Sequence, residues 1–288
     1  MLHGDKRMAN KKLAKVQKSN EMNQANFSDF SLSCYRVLLN LISQIQRHDT
    51  EGNQLSLPVV NRSCSLSAVG YAQEFKIDSK NAYGILKEAT DKLLKTTFTT
   101  RSVRGNLLKI NVCSQAEYID NEGRIDIRFT EEIMPHLTEL GDRFTMYNLN
   151  EIAGFGSIYT TRLYELLMQF KTTGELRISV ADLRFKLGCS DILKQYTHLK
   201  QRAIQHAVNE INSQWTLDVK YEEIKTGRTV TDLIFNFKQT FTRKAYDPVK
   251  KKMRTQLTRP RRKTAKEMAA EQEELAIKPK LKEKESTE

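Results

Sequence analysis

The chain has 288 residues, enough for about two domains, and its 47 Lys and Arg against 35 Asp and Glu give a formal charge of +12. No apolar run approaches the roughly 18 residues that span a bilayer, and residues 1–20 are too charged for a secretory signal. We therefore expect a soluble, cytoplasmic protein without membrane contact. The four cysteines are far apart, with no Cys-x-x-Cys pair, and are expected to be free, mostly buried thiols.

The positive charge lies at the two ends of the chain. Residues 1–19 hold six basic residues and one acid, residues 243–288 hold fifteen and eight, and residues 20–242 hold 26 of each. The ends are attracted to polyanions, whereas specific binding by the neutral middle depends on where its charges lie. Residues 1–26 and 244–288 are polar, Lys-rich and poor in large apolar groups, which predicts flexible basic tails.

The first of two similar units is predicted over residues 27–140. Apolar residues recur there at helical spacing in three segments, and Thr-rich or Ile-rich segments around short turns are typical of strands. In chain order we predict helix 32–47, strand 54–57, helices 67–75 and 79–94, strands 97–103 and 107–112 around a turn at 104–106, and strands 116–119 and 124–129.

The second unit is predicted over residues 141–243, with a boundary near residues 139–142. It repeats the order of helix, strand, helix, helix and hairpin, which indicates a duplication. We predict helix 157–171, strand 175–180, helices 181–187 and 196–213, and a hairpin around the turn at residues 226–228.

The helix at residues 196–213 is the most informative element. Its apolar residues lie on one arc, and the opposite arc carries hydrogen-bonding groups with one guanidinium and no carboxylate. An ordinary solvated face carries Glu and Lys at i, i+4, whereas Gln201 and Gln205 have that spacing here. Gln can pair with adenine and Arg with guanine in the major groove. This arc consists of His198, Gln201, Arg202, Gln205 and Asn209.

A tight hairpin follows this helix at once, with apolar residues alternating on both strands. A helix with an amide and arginine face beside a basic-tipped hairpin is typical of a winged helix, in which the helix enters the major groove and the wing contacts backbone. Lys225 and Arg228 are therefore predicted phosphate contacts. Lys200 lies toward the apolar arc, so its stem is expected to be packed and its amine to reach a phosphate. The predicted fold class is α+β, two tandem winged-helix domains with flexible basic tails.

The corresponding helix of the first unit has a mixed polar face. Lys80, Asn81 and Lys87 lie on it together with two acidic residues, which favours phosphate contact near the helix start over base reading. Arg101 and Arg104 on the following hairpin are candidate backbone contacts, and simple surface charge remains open for them.

No catalytic, metal or cofactor site is expected. The chain lacks a G-x-x-x-x-G-K-[ST] loop, and its five histidines form no His-x-His pair. Adjacent carboxylates such as Glu222 and Glu223 should diverge and serve as solvated surface charge. Arg162 is expected to be structural, pairing with Glu165 or capping a neighbouring element.

Four segments resemble the iteron-binding replication initiators of theta-replicating bacterial plasmids, the Rep family. The resemblance covers about residues 27–238 and is strongest in the second unit. It is carried by Ser157-Ile-Tyr-Thr-Thr-Arg-Leu-Tyr-Glu-Leu-Leu167, Phe185-Lys-Leu-Gly188, Leu199-Lys with Ala207 and Glu210-Ile-Asn212, and Tyr221-Glu with Lys225-Thr-Gly-Arg228.

This resemblance implies a first domain, residues 27–140, for backbone contact and dimerisation, and a second, residues 141–243, for iteron recognition. Monomers of such initiators bind direct repeats at the origin, help to open AT-rich DNA, and recruit the host initiator and replicative helicase. Dimers typically repress their own gene at an inverted repeat. The implied location is the bacterial cytoplasm, with the plasmid.

Two other functions stay open from the residues alone. A winged-helix transcription repressor without initiator activity would bind a single palindrome rather than tandem direct repeats. An enzyme, such as a nicking initiator or a recombinase, would leave nicked DNA or a covalent adduct.

Overall fold

The computed structural model describes residues 14–45, 62–102, 104–138, 143–214 and 217–240. The predicted strand 54–57, the predicted boundary at 139–142, the C-terminal tail and the first 13 residues of the N-terminal tail lie outside these ranges. All sheet pairings between the described strands are antiparallel.

The N-terminal segment folds from residue 15 onward, so the prediction of a flexible tail up to residue 26 is wrong there. Strand β1 (Lys15–Ser19) pairs with Phe144–Asn148, and helix α1 (Asn20–Gln24) follows. Ser19 caps α1, because its side chain accepts a hydrogen bond from the Met22 backbone N–H. Lys18 and Asn23 are buried. Composition marked them as solvent-exposed, because it does not show the tertiary partners described below.

The described part of the first unit combines four α-helices with a three-stranded sheet and a separate hairpin. Helix α2 buries its apolar stripe and packs against α4, as its periodicity predicts. Strand β6 pairs with both β2 and β5, whereas β3 and β4 pair only with each other among the described strands. The elements are α2 (Leu32–Ile45), β2 (Ser63–Ser67), α3 (Ala68–Phe75), α4 (Ser79–Leu94), β3 (Thr97–Arg101), β4 (Leu107–Asn111), β5 (Cys113–Ile119), β6 (Arg124–Phe129) and α5 (Pro135–Thr138).

The second unit has the element order of a winged helix, with the sheet order β8-β10-β9. The elements predicted there lie within two residues of their predicted bounds, whereas the strand at Phe144–Asn148 was not predicted. A π-helical turn, Lys200–Gln205, joins α8 to α9, so residues 196–213 form one continuous helix, which we call the composite helix. The elements are β7 (Phe144–Asn148), α6 (Ile158–Gln169), β8 (Glu175–Ser179), α7 (Val180–Leu187), α8 (Tyr196–Leu199), α9 (His206–Ser213), β9 (Leu217–Thr226) and β10 (Thr229–Gln239).

The buried carboxylate of Glu165 on α6 joins elements from both halves of the chain. Its Oε1 accepts hydrogen bonds from Lys18 Nζ at 2.7 Å and from the Tyr147 hydroxyl at 2.5 Å. Its Oε2 accepts from the Tyr35 hydroxyl at 2.5 Å and from Arg162 Nη1 at 2.8 Å. Both carboxylate oxygens are thereby satisfied in a site closed to water, as a buried charge requires. We call these five residues the buried cluster.

Arg162 extends the buried cluster to backbone carbonyls. Its Nη2 donates to the carbonyl oxygens of Asn23 at 2.7 Å and Ala25 at 2.9 Å, and its Nε donates to that of Lys186 at 3.2 Å. Both predicted roles of Arg162, pairing with Glu165 and capping neighbouring elements, are confirmed. The N-terminal segment and α7 are thus fastened to α6 by one guanidinium.

Charge pairing keeps the buried cluster ionised. Burial alone favours a neutral carboxyl, but the nearby charges of Lys18 and Arg162 outweigh it and hold the pKa of Glu165 below its usual value. Burial lowers the pKa of Lys18 to about 8, so its ammonium is still charged at neutral pH. The buried cluster therefore contains two cations and one anion at pH 7, and the tyrosine hydroxyls and backbone carbonyls solvate the excess charge.

Replacing Glu165 by Gln is expected to destabilise the fold by about 3–5 kcal/mol at pH 7, because it leaves two buried cations without an anion. The pKa of Glu165 is lower in the folded than in the unfolded chain. Its stabilisation is therefore complete above about pH 4.5 and is lost as the pH falls through the folded-state pKa. Urea unfolding of wild type and Glu165→Gln at pH 7 and again below about pH 4.5 measures the difference in stability. The exposed Glu132→Gln is the control. Equal stability of Glu165→Gln and wild type at pH 7 would contradict this account.

Candidate nucleic-acid interface

The composite helix has one buried face and one exposed face. Leu199, Ala203, Ile204, Ala207 and Ile211 are fully buried, and the helix packs on α6. The polar side chains predicted to read bases are all exposed, namely His198, Gln201, Arg202, Gln205 and Asn209. The hydrogen-bonding face of the composite helix is therefore open to solvent.

The β9–β10 hairpin follows the composite helix and ends in a two-residue turn. Gly227 lies in the left-handed region with φ +63°, and no positive φ occurs at Arg228, which corresponds to a type II′ turn. Lys225 and Arg228 are exposed at this tip. The hairpin tip thus presents two exposed cations.

Glu223 on β9 holds the first turn of the composite helix. Its Oε1 lies 2.7 Å from Lys200 Nζ and accepts a hydrogen bond from the Tyr196 hydroxyl, also at 2.7 Å. The Lys200 side chain is 35% exposed and that of Glu223 is 20% exposed. The Lys200 amine predicted to reach phosphate is thus paired with a carboxylate of the same domain.

A second contact to the same strand involves Gln205. The Gln205 side chain lies close enough to the Tyr221 hydroxyl to oppose the rise in its pKa that burial causes, and Tyr221 lies two residues before Glu223 on the same face of β9. Gln205 follows Lys200 by five residues, the spacing that a π-helical turn brings onto one side of a helix. In a regular α-helix these two side chains would diverge. The π-helical turn therefore lets both contact β9.

The other end of the composite helix is anchored to the segment that precedes α6. Glu210 Oε1 accepts a hydrogen bond from the Gly156 backbone N–H at 2.6 Å. Arg36 of α2 donates from Nη2 to the carbonyl oxygen of Phe155 at 2.7 Å and to that of Ala153 at 3.3 Å. The composite helix is thus linked through one short segment to α2 of the first unit.

Of the three contacts predicted on α4, two are exposed and one is paired with an acidic residue. Lys80 and Asn81 are exposed at the start of α4. Lys87 Nζ lies 3.4 Å from Asp120 Oδ1 and over the rings of Tyr83 and Tyr118. The outer face of α4 is therefore partly covered by an acidic turn. Because the Lys87–Asp120 pair is exposed, it contributes little to stability.

The hairpin that carries Arg101 and Arg104 is not the counterpart of the β9–β10 hairpin. In the second unit the sheet contains β9 and β10, and the matching sheet of the first unit contains β5 and β6. The β3–β4 hairpin is an additional element, so Arg101 and Arg104 do not lie on the hairpin that matches β9–β10. Their role as candidate backbone contacts stays a prediction. Both side chains are exposed, and Arg101 Nη1 donates to the Gly105 carbonyl oxygen at 2.9 Å.

The sequence analysis missed the residues that join the composite helix to β9. These are Tyr196 on the helix and Tyr221 and Glu223 on the strand. Glu222 and Glu223 diverge as predicted, because neighbouring strand residues point to opposite faces, and Glu222 is exposed. Reading both as solvated charge is wrong for Glu223, which is mostly buried. A signal was available in the alternation that places Tyr221, Glu223 and Lys225 on one face of the strand.

Over the ranges that the structure describes, no group of three or more His, Cys, Asp or Glu side chains could hold a metal ion. In the same ranges, no helix is long and apolar enough to cross a membrane. The four cysteines are free and buried, as predicted, and burial raises the pKa of the Cys64 thiol to about 12.

This geometry defines a protein of two winged-helix domains, and comparisons with known proteins agree. The family model described as "Initiator Replication protein, WH1" matches residues 15–168, and "Initiator Rep protein, WH2" matches residues 179–237. The chain belongs to this family of initiator replication proteins. The predicted family and the predicted pair of winged-helix domains are confirmed.

Two relatives from Escherichia coli and one solved structure are similar to the chain. A "Replication initiation protein" is 27% identical over 179 residues, which are 60% of this chain and 55% of that protein. An "Uncharacterized 27.6 kDa protein" is 26% identical over 234 residues, 79% of this chain and 97% of that protein. The "Pi initiator protein in complex with iteron DNA" has a TM-score of 0.63 at 22% identity, covering 78% of this chain and 97% of that one. At this identity the structural likeness concerns the fold.

Proposed function

We propose that this protein initiates plasmid replication by binding repeated sequences, iterons, in double-stranded DNA at the origin. The observation that carries the proposal is the exposed amide and arginine face of the composite helix beside a basic-tipped hairpin, in a chain of the initiator family. Such a helix fits the major groove, and such a hairpin fits the adjacent backbone.

In this proposal the second domain, residues 141–243, reads the bases. Arg202 pairs with the O6 and N7 atoms of a guanine, and Gln201 and Gln205 pair with adenine edges. His198 and Asn209 lie toward the two ends of the same face and contact flanking positions. Lys225 and Arg228 contact phosphate, which sets the register of the helix without carrying sequence information.

The first domain, residues 27–140, holds the DNA backbone and joins two copies in a dimer. Lys80 and Asn81 are exposed at the start of α4 and are its first contacts with the DNA backbone. The N-terminus of the helix also favours phosphate there. Lys87 joins them only by leaving Asp120. Arg101 and Arg104 contact backbone from the β3–β4 hairpin rather than from a wing.

We further propose that the bound protein opens adjacent AT-rich DNA and recruits the host initiator and replicative helicase. A dimer represses the protein's own gene at an inverted repeat. The protein breaks no covalent bond itself. An assay with supercoiled origin DNA and a divalent metal tests this last point, and a nicked product or a covalent adduct would contradict it.

The DNA that flanks the coding region tests the function directly. Two domains that cover roughly two turns of duplex require direct repeats of about 20 base pairs. Fluorescence anisotropy should show the full-length protein binding one such repeat in preference to a scrambled duplex. Binding only to a single promoter palindrome would instead identify a transcription repressor without initiator activity.

Arg202→Ala is expected to lose about 1–3 kcal/mol of binding to the cognate repeat and to relax the preference at one base pair. A bidentate contact to guanine is lost, whereas backbone contacts remain. The measurement is a set of dissociation constants for the repeat and its single-base variants. Arg177→Ala, an exposed arginine on β8, is the matched control. Unchanged specific binding by Arg202→Ala would show that the composite helix does not read bases.

Lys225→Ala is expected to weaken binding to the repeat and to scrambled DNA equally. One lost phosphate contact should reduce the slope of log K against log salt by about 0.9 in magnitude. Titrations over a series of salt concentrations measure this slope, with the exposed Lys171→Ala as the control. A loss confined to the repeat would place Lys225 at a base rather than at a phosphate.

A further inference from the structure

We propose that Glu223 is a specificity-determining positioning residue. It holds Tyr196 and Lys200 against β9, the strand of the wing that carries Glu223, and it keeps the Lys200 ammonium away from DNA phosphate. This inference rests on the proposed function, because it concerns how the composite helix meets DNA. It reverses the expectation that Lys200 is itself a phosphate contact.

Glu223 contacts two side chains from one turn of the composite helix. Tyr196 and Lys200 are four residues apart and therefore lie on the same side of the composite helix. The Tyr196 hydroxyl and the Lys200 ammonium both reach Glu223 Oε1 at 2.7 Å. Together with the Gln205–Tyr221 contact, they fasten the exposed first half of the helix to β9.

The ion pair is partly shielded from solvent. Both side chains are mostly removed from solvent, so the attraction between them is screened less than that of fully exposed charges. Burial opposes ionisation of Glu223, but hydrogen bonds from Lys200 and Tyr196 outweigh it and hold the pKa of this carboxyl below its usual value. The carboxylate therefore stays charged near neutral pH and competes with phosphate for Lys200.

This competition bears on specificity rather than on affinity. A lysine on phosphate strengthens binding to every sequence, because phosphates are the same at every base pair. A lysine held by an internal carboxylate adds little to non-specific binding. Lys225 follows Glu223 by two residues on the same face of β9. It lies nearer the hairpin tip and is exposed. Lys200 on the helix is thus neutralised by a carboxylate of the strand, whereas Lys225 of the strand is exposed at the tip.

Glu223→Gln in the full-length protein is the first test, with adjacent, exposed Glu222→Gln as a control for the same change in charge. Gln keeps the shape but cannot hold the ammonium as a counterion, so Lys200 should transfer to phosphate. The slope of log K against log salt should become steeper by about 0.9. Binding to scrambled duplex should rise severalfold more than binding to the repeat. Glu223→Asp should retain the wild-type slope.

Removing the other partner tests the pair independently. Lys200→Met should leave the salt slope at its wild-type value, because Lys200 does not contact phosphate in the wild-type complex. The double variant Lys200→Met with Glu223→Gln should lose the steeper slope of Glu223→Gln, which assigns that slope to Lys200. Thermal unfolding of each variant checks the fold, and Lys200→Met alone decides the question if Glu223→Gln does not fold.

The outcomes separate this inference from the proposed function. Wild type that does not prefer the repeat to the scrambled duplex contradicts the proposed function. Wild type that prefers the repeat, with Glu223→Gln and Glu222→Gln giving equal slopes, overturns the role of Glu223. A slope that falls by about 0.9 in Lys200→Met also overturns it, because Lys200 is then already a phosphate contact.

Discussion

The two-domain arrangement depends on one buried carboxylate. Glu165 accepts four hydrogen bonds, from β1, α2, β7 and its own helix α6. Its partner Arg162 also donates a hydrogen bond to a backbone carbonyl of α7. A buried charge is tolerated only when its partners are complete, so these elements must assemble together. The Ser157–Leu167 motif that resembles plasmid initiators contains both residues. Part of that resemblance therefore reflects construction of the core rather than contact with DNA.

The composite helix is held in place by two further carboxylates that lie beside its exposed polar face. Glu223 binds its first turn to the wing strand, and Glu210 binds its last turns to the segment before α6. A helix must be oriented within a narrow range for several side chains to meet base edges at once. Because Arg36 contacts the same connecting segment, the orientation of the composite helix is also linked to the first domain.

Periodicity predicted most helices and strands to within a few residues, because a buried face repeats every 3.6 or 2 positions and leaves a local pattern. Predictions based on composition or on order along the chain were less successful. Residues 15–24 resemble a charged tail, yet Lys18 is buried because its partner lies 147 positions away. The β3–β4 hairpin follows α4 directly, but the sheet that forms the winged helix uses β5 and β6. Strand pairing at long range leaves no such pattern in a single sequence.

The sequence by itself determined the family, the two winged-helix units and the polar face of the composite helix, since each depends on residue types at short spacing. Only the tertiary structure decided which charges are available. The sequence predicts a solvent-accessible ammonium for each of three lysines, Lys200, Lys87 and Lys18. One is paired with a carboxylate of the wing, one with an acidic turn, and one lies inside the core. The physical reason is that the state of a charge depends on the nearest opposite charge and on exclusion of water, and the folded chain sets both.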